Sequence, residues 1–333
     1  MIKLLMMLPF LMLFFSCTSK KEQNTIWIYT SLYKDTVAEI QPQLEKKFPA
    51  VKFQFYQAGS EEVAAKVQAE NLAGQIQADV LISSDRFWYE DLASQNKLIS
   101  YQPVSTEKID LLYKHPDHKY STLSYPLMVI AYNSDVINEK DAPKSFKDLT
   151  NVKWKDKLSS GSPLASGTTF TTVAFLIEKY GWDYFKDLRK NNIISEGGNS
   201  GVIRRLQSKE RPIGIVLLEN VLRLSKTDQR IKYILPSDGA VLQTNVLAIV
   251  KKNFDQANQL EIRQQVADWF FSNEGQLSIV KSFMYPTTAN LQVTGAPDFN
   301  EVLKTAKPWN REFIDKTMKD REKIKEEFSK IIF

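Results

Sequence analysis

Ile26-Trp27-Ile28-Tyr29-Thr30-Ser31 is a short apolar run that closes on two hydroxyls. Related runs follow at Val51–Phe55 and at Ala78-Asp79-Val80-Leu81-Ile82-Ser83-Ser84-Asp85. The first reads as a buried strand. Val37, Ile40, Leu44 and Phe48 then recur at helical spacing until Pro49, which stops the helix. Val51, Phe53 and Phe55 alternate with Lys52 and Gln54, the period of a strand. Gly59-Ser60 opens a second helix, with Glu61-Glu62 in its first turn where the helix dipole favours negative charge. Ala78–Ile82 is the third strand. Strand, helix, strand, helix, strand in that order predicts an α/β fold, a mostly parallel sheet covered by helices.

Further along, the pattern changes at Ser124-Tyr125-Pro126, and the apolar run Leu127–Tyr132 is expected to cross into a second unit. That unit repeats the α/β grammar. Ser159–Thr172 is a Ser/Thr/Gly loop entering a helix, and Trp182–Leu188 is amphipathic. Gly197–Gly201 enters another helix through Leu206, and Ile213–Leu218 is a buried strand. Val246–Val250 is a further strand, with helix over Val266–Phe271 and Gln276–Val280. Met318, Ile324, Phe328 and Ile331 put one apolar face on a charged, docked terminal helix. A chain of 333 residues exceeds the usual size of one hydrophobic core. Two lobes are therefore expected: 25–124 with 239–290, and 125–238 with 291–333.

The start of the chain is read separately. Met1–Lys3 is a short positive opening, and Leu4–Phe15 is almost unbroken apolar sequence apart from Pro9. That run is too short to span a bilayer, which takes roughly 20 residues, and it fits the core of an export signal over 1–16. Cys17 follows and is the only cysteine, so no intrachain disulfide can form. Residues 17–24 then read as a polar tether. The whole chain carries 44 basic and 39 acidic residues, and loss of the signal removes Lys3. This mild positive balance suits a small anion, and it lacks the concentrated basic face of a nucleic-acid binder.

Catalytic equipment is scarce. The two histidines lie in His115-Pro116-Asp117-His118, where the proline breaks the helix that would align them on a metal, so a surface turn is expected and no metal site. Gly-x-Ser-x-Gly, Walker and His-Glu-x-x-His patterns are absent. Glu61-Glu62 and Glu326-Glu327 read as solvated helix faces. An enzyme is not expected, and no cofactor is implied.

Binding equipment is better represented. Thr30-Ser31, Gly59-Ser60, Ser83-Ser84, Ser166-Gly167-Thr168-Thr169 and Asn199-Ser200-Gly201 place small hydroxyls and glycines just before helices. Helix starts offer unpaired amides and the positive dipole end, which suits an anion, phosphate above all. Each such loop taken singly is also an ordinary N-cap. Several of them at the strand ends of open α/β sheets are expected to share one ligand, because ligands bind there.

Ile26–Ser31, Ala78–Asp85, Ser162-Pro163 through Thr169, Tyr180-Gly181-Trp182 and Glu196–Gly201 resemble the type II periplasmic solute-binding proteins, in the group for iron(III), 2-aminoethylphosphonate and hexose phosphates. The resemblance spans essentially the whole mature chain. It implies a two-lobed fold joined by a hinge of crossing strands, and ligand capture by closure. It implies a monomer that hands its ligand to a membrane permease and its ATPase. Phe14-Phe15-Ser16-Cys17 resembles a bacterial lipobox, with Phe14 in place of the usual leucine, so Cys17 is expected to be lipidated and to hold the exported protein at a membrane. Iron-binding members carry paired tyrosines after the strand matching Ile213–Leu217; Leu218-Glu219-Asn220 stands there instead. By analogy with the phosphate-ester members, Ser31, Ser60, Ser84, Ser166, Gly167, Thr168, Thr169, Ser200 and Gly201 would hold phosphoryl oxygens. Glu219 would accept bonds from hydroxyls or an amine, and Arg86 would fork onto phosphate or remain a surface arginine. Iron(III) or polyamine binding, and a sensor in place of a transport role, stay open as alternatives.

Overall fold

The computed structural model describes residues 24–254, 257–306 and 309–333. The expected signal, Cys17 and nearly all of the tether lie outside them. The chain opens with β1 (Asn24–Thr30), α1 (Lys34–Lys47), β2 (Val51–Gln57), α2 (Ser60–Leu72), β3 (Val80–Ser83) and α3 (Arg86–Ser94). β1 pairs in parallel with β2 on one side and β3 on the other, as the alternating pattern predicts. Ile26 and Ile28 project to one face and meet Ile40 and Leu44 of α1, which bury that face of the sheet.

β4 (Ser121–Tyr125) leads through Pro126 into β5 (Leu127–Asn133) of a second sheet. There follow β6 (Leu158–Ser160), α4 (Gly167–Tyr180), α5 (Asp183–Lys190), β7 (Ile194–Ser195) and α6 (Asn199–Ser208). β8 (Ile213–Leu217), α7 (Leu218–Leu224), β9 (Ile231–Ile234) and β10 (Val241–Leu242) complete this unit. The chain returns to the first sheet with β11 (Asn245–Ile249), α8 (Ala257–Phe271), α9 (Asn273–Lys281) and β12 (Tyr285–Pro286). It ends in α10 (Phe299–Thr305), α11 (Arg311–Lys319) and α12 (Arg321–Ile332). The sheets run β12-β4-β11-β3-β1-β2 and β10-β5-β8-β6-β7, with β9 also paired to β5.

Both sheets are mixed. β5 runs against β8, while β6, β7 and β8 are parallel to one another. β11 runs against β3 and β4. The reversed strands include those through which the chain enters each sheet from the other. A direct link such as Pro126 delivers the new strand without a covering helix, and the parallel βαβ connection needs one.

Two expectations are corrected here. β10 pairs with β5, so the return crossing falls at Gln243-Thr244 and not at Gly239. The terminal helix is two helices, because α11 closes at Asp320, whose amide bonds to Lys316 O. Their buried faces are Phe313 and Ile314 in α11, and Phe328 and Ile332 in α12, which join the core of the second sheet. α10 packs nearer the crossing, with Phe299 against Tyr125 and Tyr285. His115–His118 is a tight turn: the His118 amide donates to His115 O, and His115 Nδ1 accepts from the Asp117 amide. No helix among the described residues is long and apolar enough to cross a membrane.

Candidate ligand-binding site

A cavity of about 220 Å³ lies between the two sheets, at the carboxyl ends of their parallel strands. The first lobe contributes Ser31 after β1, Ser60 at the start of α2 and Ser84 after β3. The second contributes Ser166 and Thr168 at the start of α4, Ser200 in the first turn of α6, and Glu219 in that of α7. The loops singled out by their hydroxyls therefore converge on one space from both sides.

Four of the anticipated residues do not line it. Arg86 is buried behind the wall: its Nε donates to Tyr120 Oη at 2.8 Å, Nη1 to Leu112 O, and Nη2 faces Glu90. All three guanidinium nitrogens are thus engaged away from the cavity, and the phosphate fork is corrected to a structural role. Thr169 turns toward the core of the second lobe, beside Gly161. Gly201 packs on Glu196 O and the arginines of α6. Gly167 approaches the other lobe and not the space for a ligand: a Cβ there would lie 2.5 Å from Asp85 Cβ, and its amide donates to Ser60 Oγ at 2.7 Å.

Ordinary capping accounts for only some of these hydroxyls. Ser166 caps α4, accepting from the Thr169 amide at 3.3 Å. α1 begins after Tyr33, α2 after Gly59 and α6 after Gly198, in each case without a side-chain cap, so Ser31, Ser60 and Ser200 are not spent in that way. Ser31 Oγ instead meets Ser83 Oγ at 3.1 Å. Thr168 Oγ1 sits 3.0 Å from Ser166 Oγ and accepts from Asn199 Nδ2. Asn199 Oδ1 in turn accepts from the Leu217 amide, which ties α4, α6 and β8 into one frame.

Electrostatically the wall is unusual for an anion site. Among the described residues neither lysine nor arginine lines it, so positive potential comes from the starts of α2, α4 and α6. Glu219 is 2% exposed, and burial raises its carboxyl to about 7. Burial, and then the Glu219 charge, push the Tyr33 phenol up as well. Tyr33 Oη accepts from Asn220 Nδ2 at 2.7 Å across the cleft, and the Arg223 guanidinium lies 4.6 Å from its ring.

Sequence reasoning missed Tyr33, Gln57, Asn245 and Met284, all of which line the cavity beside Asn199 of an anticipated loop. The first two adjoin the hydroxyl loops, Tyr33 just after β1 and Gln57 at the end of β2, and that place was a usable signal. Asn245 opens the returning strand β11, and Met284 immediately precedes β12, two strands away across β4. Asn245 Nδ2 donates to Ser124 Oγ at 2.9 Å, a contact set only by strand pairing.

Comparison with known proteins fits this architecture. Residues 76–316 match the family described as bacterial extracellular solute-binding protein. An uncharacterized protein of Haemophilus influenzae is 25% identical over 68% of this chain, and a probable ABC transporter periplasmic-binding protein of Sinorhizobium fredii is 23% identical over 68%. The chain spans 67% and 64% of these two relatives, about two thirds of each. Among solved structures, the periplasmic binding protein AfuA from Actinobacillus pleuropneumoniae, with fructose-6-phosphate bound, superposes with a TM-score of 0.81 at 21% identity, over 93% of this chain and 99% of that one. Iron-bound HitA from Pseudomonas aeruginosa does so with a TM-score of 0.78 at 18% identity, over 92% and 99%. The fold is thus the two-lobed type II periplasmic binding fold, as the resemblance implied. With the family matched over well more than half of its length, the chain belongs to the bacterial extracellular solute-binding proteins.

Proposed function

We propose that this protein is the substrate-binding lipoprotein of an ABC-type importer, and that it captures a small phosphorylated or phosphonylated organic anion by hinge closure. The ligand belongs to the sugar phosphate, inositol phosphate or aminoethylphosphonate class. One observation carries the reading: hydroxyls and three helix starts from both lobes surround a cavity whose wall, among the described residues, holds no basic side chain. Oriented neutral donors can hold phosphoryl oxygens at these positions, and each charge-assisted bond is worth on the order of 1.5–3 kcal/mol. Glu219 accepts a hydroxyl or amine at the other end of the ligand. The presence of fructose-6-phosphate in AfuA agrees with this chemistry.

Iron(III) is the second reading, because HitA is an iron-bound relative in fold. Against it, Tyr33 is the one phenol in the wall among the described residues, its oxygen already accepts from Asn220, and Leu218-Glu219-Asn220 stands where a tyrosine pair would be. A tyrosinate-to-iron absorption band on titration with ferric citrate would decide for iron. Calorimetry against fructose 6-phosphate, inositol phosphates and 2-aminoethylphosphonate tests the main reading, which fails if none of them binds.

In this proposal the protein works as a monomer with a permease and its ATPase, and the Cys17 lipid holds it at the membrane. Labelling with a palmitate analogue should tag wild type and not Cys17→Ala; equal labelling of both would remove the anchor.

A further inference from the structure

Behind the cavity, the C-terminal helix of the second lobe meets the first lobe. Arg321 Nη2 lies 2.5 Å from Asp85 Oδ2 and 2.7 Å from Glu61 Oε1, and Lys325 Nζ lies 2.7 Å from Glu61 Oε2. Both cations stand over the Phe170 ring of α4, at 5.1 and 5.8 Å. Asp85 is fully buried, with 0% exposure. The two carboxylates directly follow Ser60 and Ser84 in the chain, and both serines line the cavity. Two negative groups therefore back the donors on which an anion would rest.

With its side chain 15% exposed, Glu61 joins the fully buried Asp85 in a place where an uncompensated charge is penalised. Their compensating charges, Arg321 and Lys325, come from the opposite lobe. Burial, followed by repulsion from Asp85, raises the Glu61 carboxyl from its usual range, so this pair is sensitive to the neighbouring cations. The glutamate expected to lie on a solvated helix face is in fact part of an interlobe cluster.

We propose that α12 is a charge-compensating latch: Arg321 and Lys325 neutralise Glu61 and Asp85 across the closed cleft, so that closure and acceptance of an anion become one event. The affinity half of this inference rests on the anion reading given above. The closure half does not.

Arg321→Met keeps an apolar stem over Phe170 and removes the charge. Small-angle scattering of the purified variant should show a larger radius of gyration than wild type. Its affinity for fructose 6-phosphate should fall roughly tenfold or more, the loss typical of one missing partner in a buried charged pair. Arg321→Lys should retain most of both properties. Adding Asp85→Asn to Arg321→Met should restore compactness and affinity, since asparagine can still cap α3 by accepting from the Phe87 amide, as Asp85 does at 3.0 Å. Mere docking of the tail would not give this rescue. An Arg321→Met scattering curve equal to that of wild type, or a double variant no better than the single one, overturns the latch. Should wild type bind neither fructose 6-phosphate nor inorganic phosphate, the anion reading falls, and scattering alone decides the latch.

Discussion

Glu219 shows how one side chain can report on the site. Its carboxyl is raised by burial from 4.5 to about 7. Between those values the native state binds more protons than the unfolded chain, so its contribution makes stability fall as pH rises through that window. Glu219→Gln should therefore match wild type near pH 4 and exceed it at pH 8, by up to about 3 kcal/mol. Urea melts across that range check it, and a gap that does not widen with pH would contradict it. Thr168 tests the donors. Thr168 is 3% exposed and lines the cavity, and Thr168→Ala should weaken binding of the best phosphate ester roughly ten- to a hundredfold. Stability should fall by only about 1–3 kcal/mol, as the buried Asn199 Nδ2 loses its acceptor while Ser166 still caps the helix. Calorimetry with unchanged affinity would reduce this loop to a cap.

At the scale of elements, the tail is more than a surface dressing. Trp309 precedes α11 and stacks on Phe87 of α3 with 5.7 Å between ring centroids, while its Nε1 donates to Leu242 O at 2.9 Å. Phe87 in turn meets Phe170 of α4 at 5.5 Å. A side chain from the first lobe thus enters the core of the second, beside the return crossing. Trp309→Ala should cost roughly 3–5 kcal/mol, as truncation of a fully buried aromatic does. Chemical denaturation measures it, and a loss below about 1 kcal/mol would mean that the tail docks only loosely. The break at Asp320 belongs to this scale too. Apolar spacing alone ran Met318 into Ile324 as one helix, but two shorter helices let α11 face α3 and α12 face α5.

For the whole molecule, closure is the property to test. Gly167 meets Asp85 and Ser60 of the other lobe so closely that no side chain fits between them. Gly167→Val should hold the lobes apart, with affinity lowered by about a hundredfold or more while each lobe stays folded. Scattering that shows normal closure in this variant would contradict the contact. Asn220 to Tyr33, and Arg223 to Asp35 at 2.8 Å, cross the opposite rim in the same way. In the proposed mechanism, ligand contacts with both lobes would add to these and shift the population toward the closed form.

By itself the sequence determined what depends on local pattern. Alternation in Val51–Phe55, helical spacing in Val37–Leu44 and the buried runs Ile26–Tyr29 and Ile213–Leu217 identify α/β units, because side-chain periodicity follows directly from backbone geometry. The hydroxyl loops that meet at the cavity were legible for the same reason, since each sits where a strand hands over to a helix. Tertiary structure alone decided which of those residues face the cavity. Arg86 looked available from its position past a strand, yet Tyr120 and Leu112 come from distant segments to occupy its guanidinium. Gly167 stood among the residues expected to hold phosphoryl oxygens, but its close neighbour is Asp85 of the other lobe. Glu61 looked solvated until α12 came across from the other lobe. Contacts between residues far apart in the chain leave no periodic trace, so only the packing of the two lobes could assign these roles.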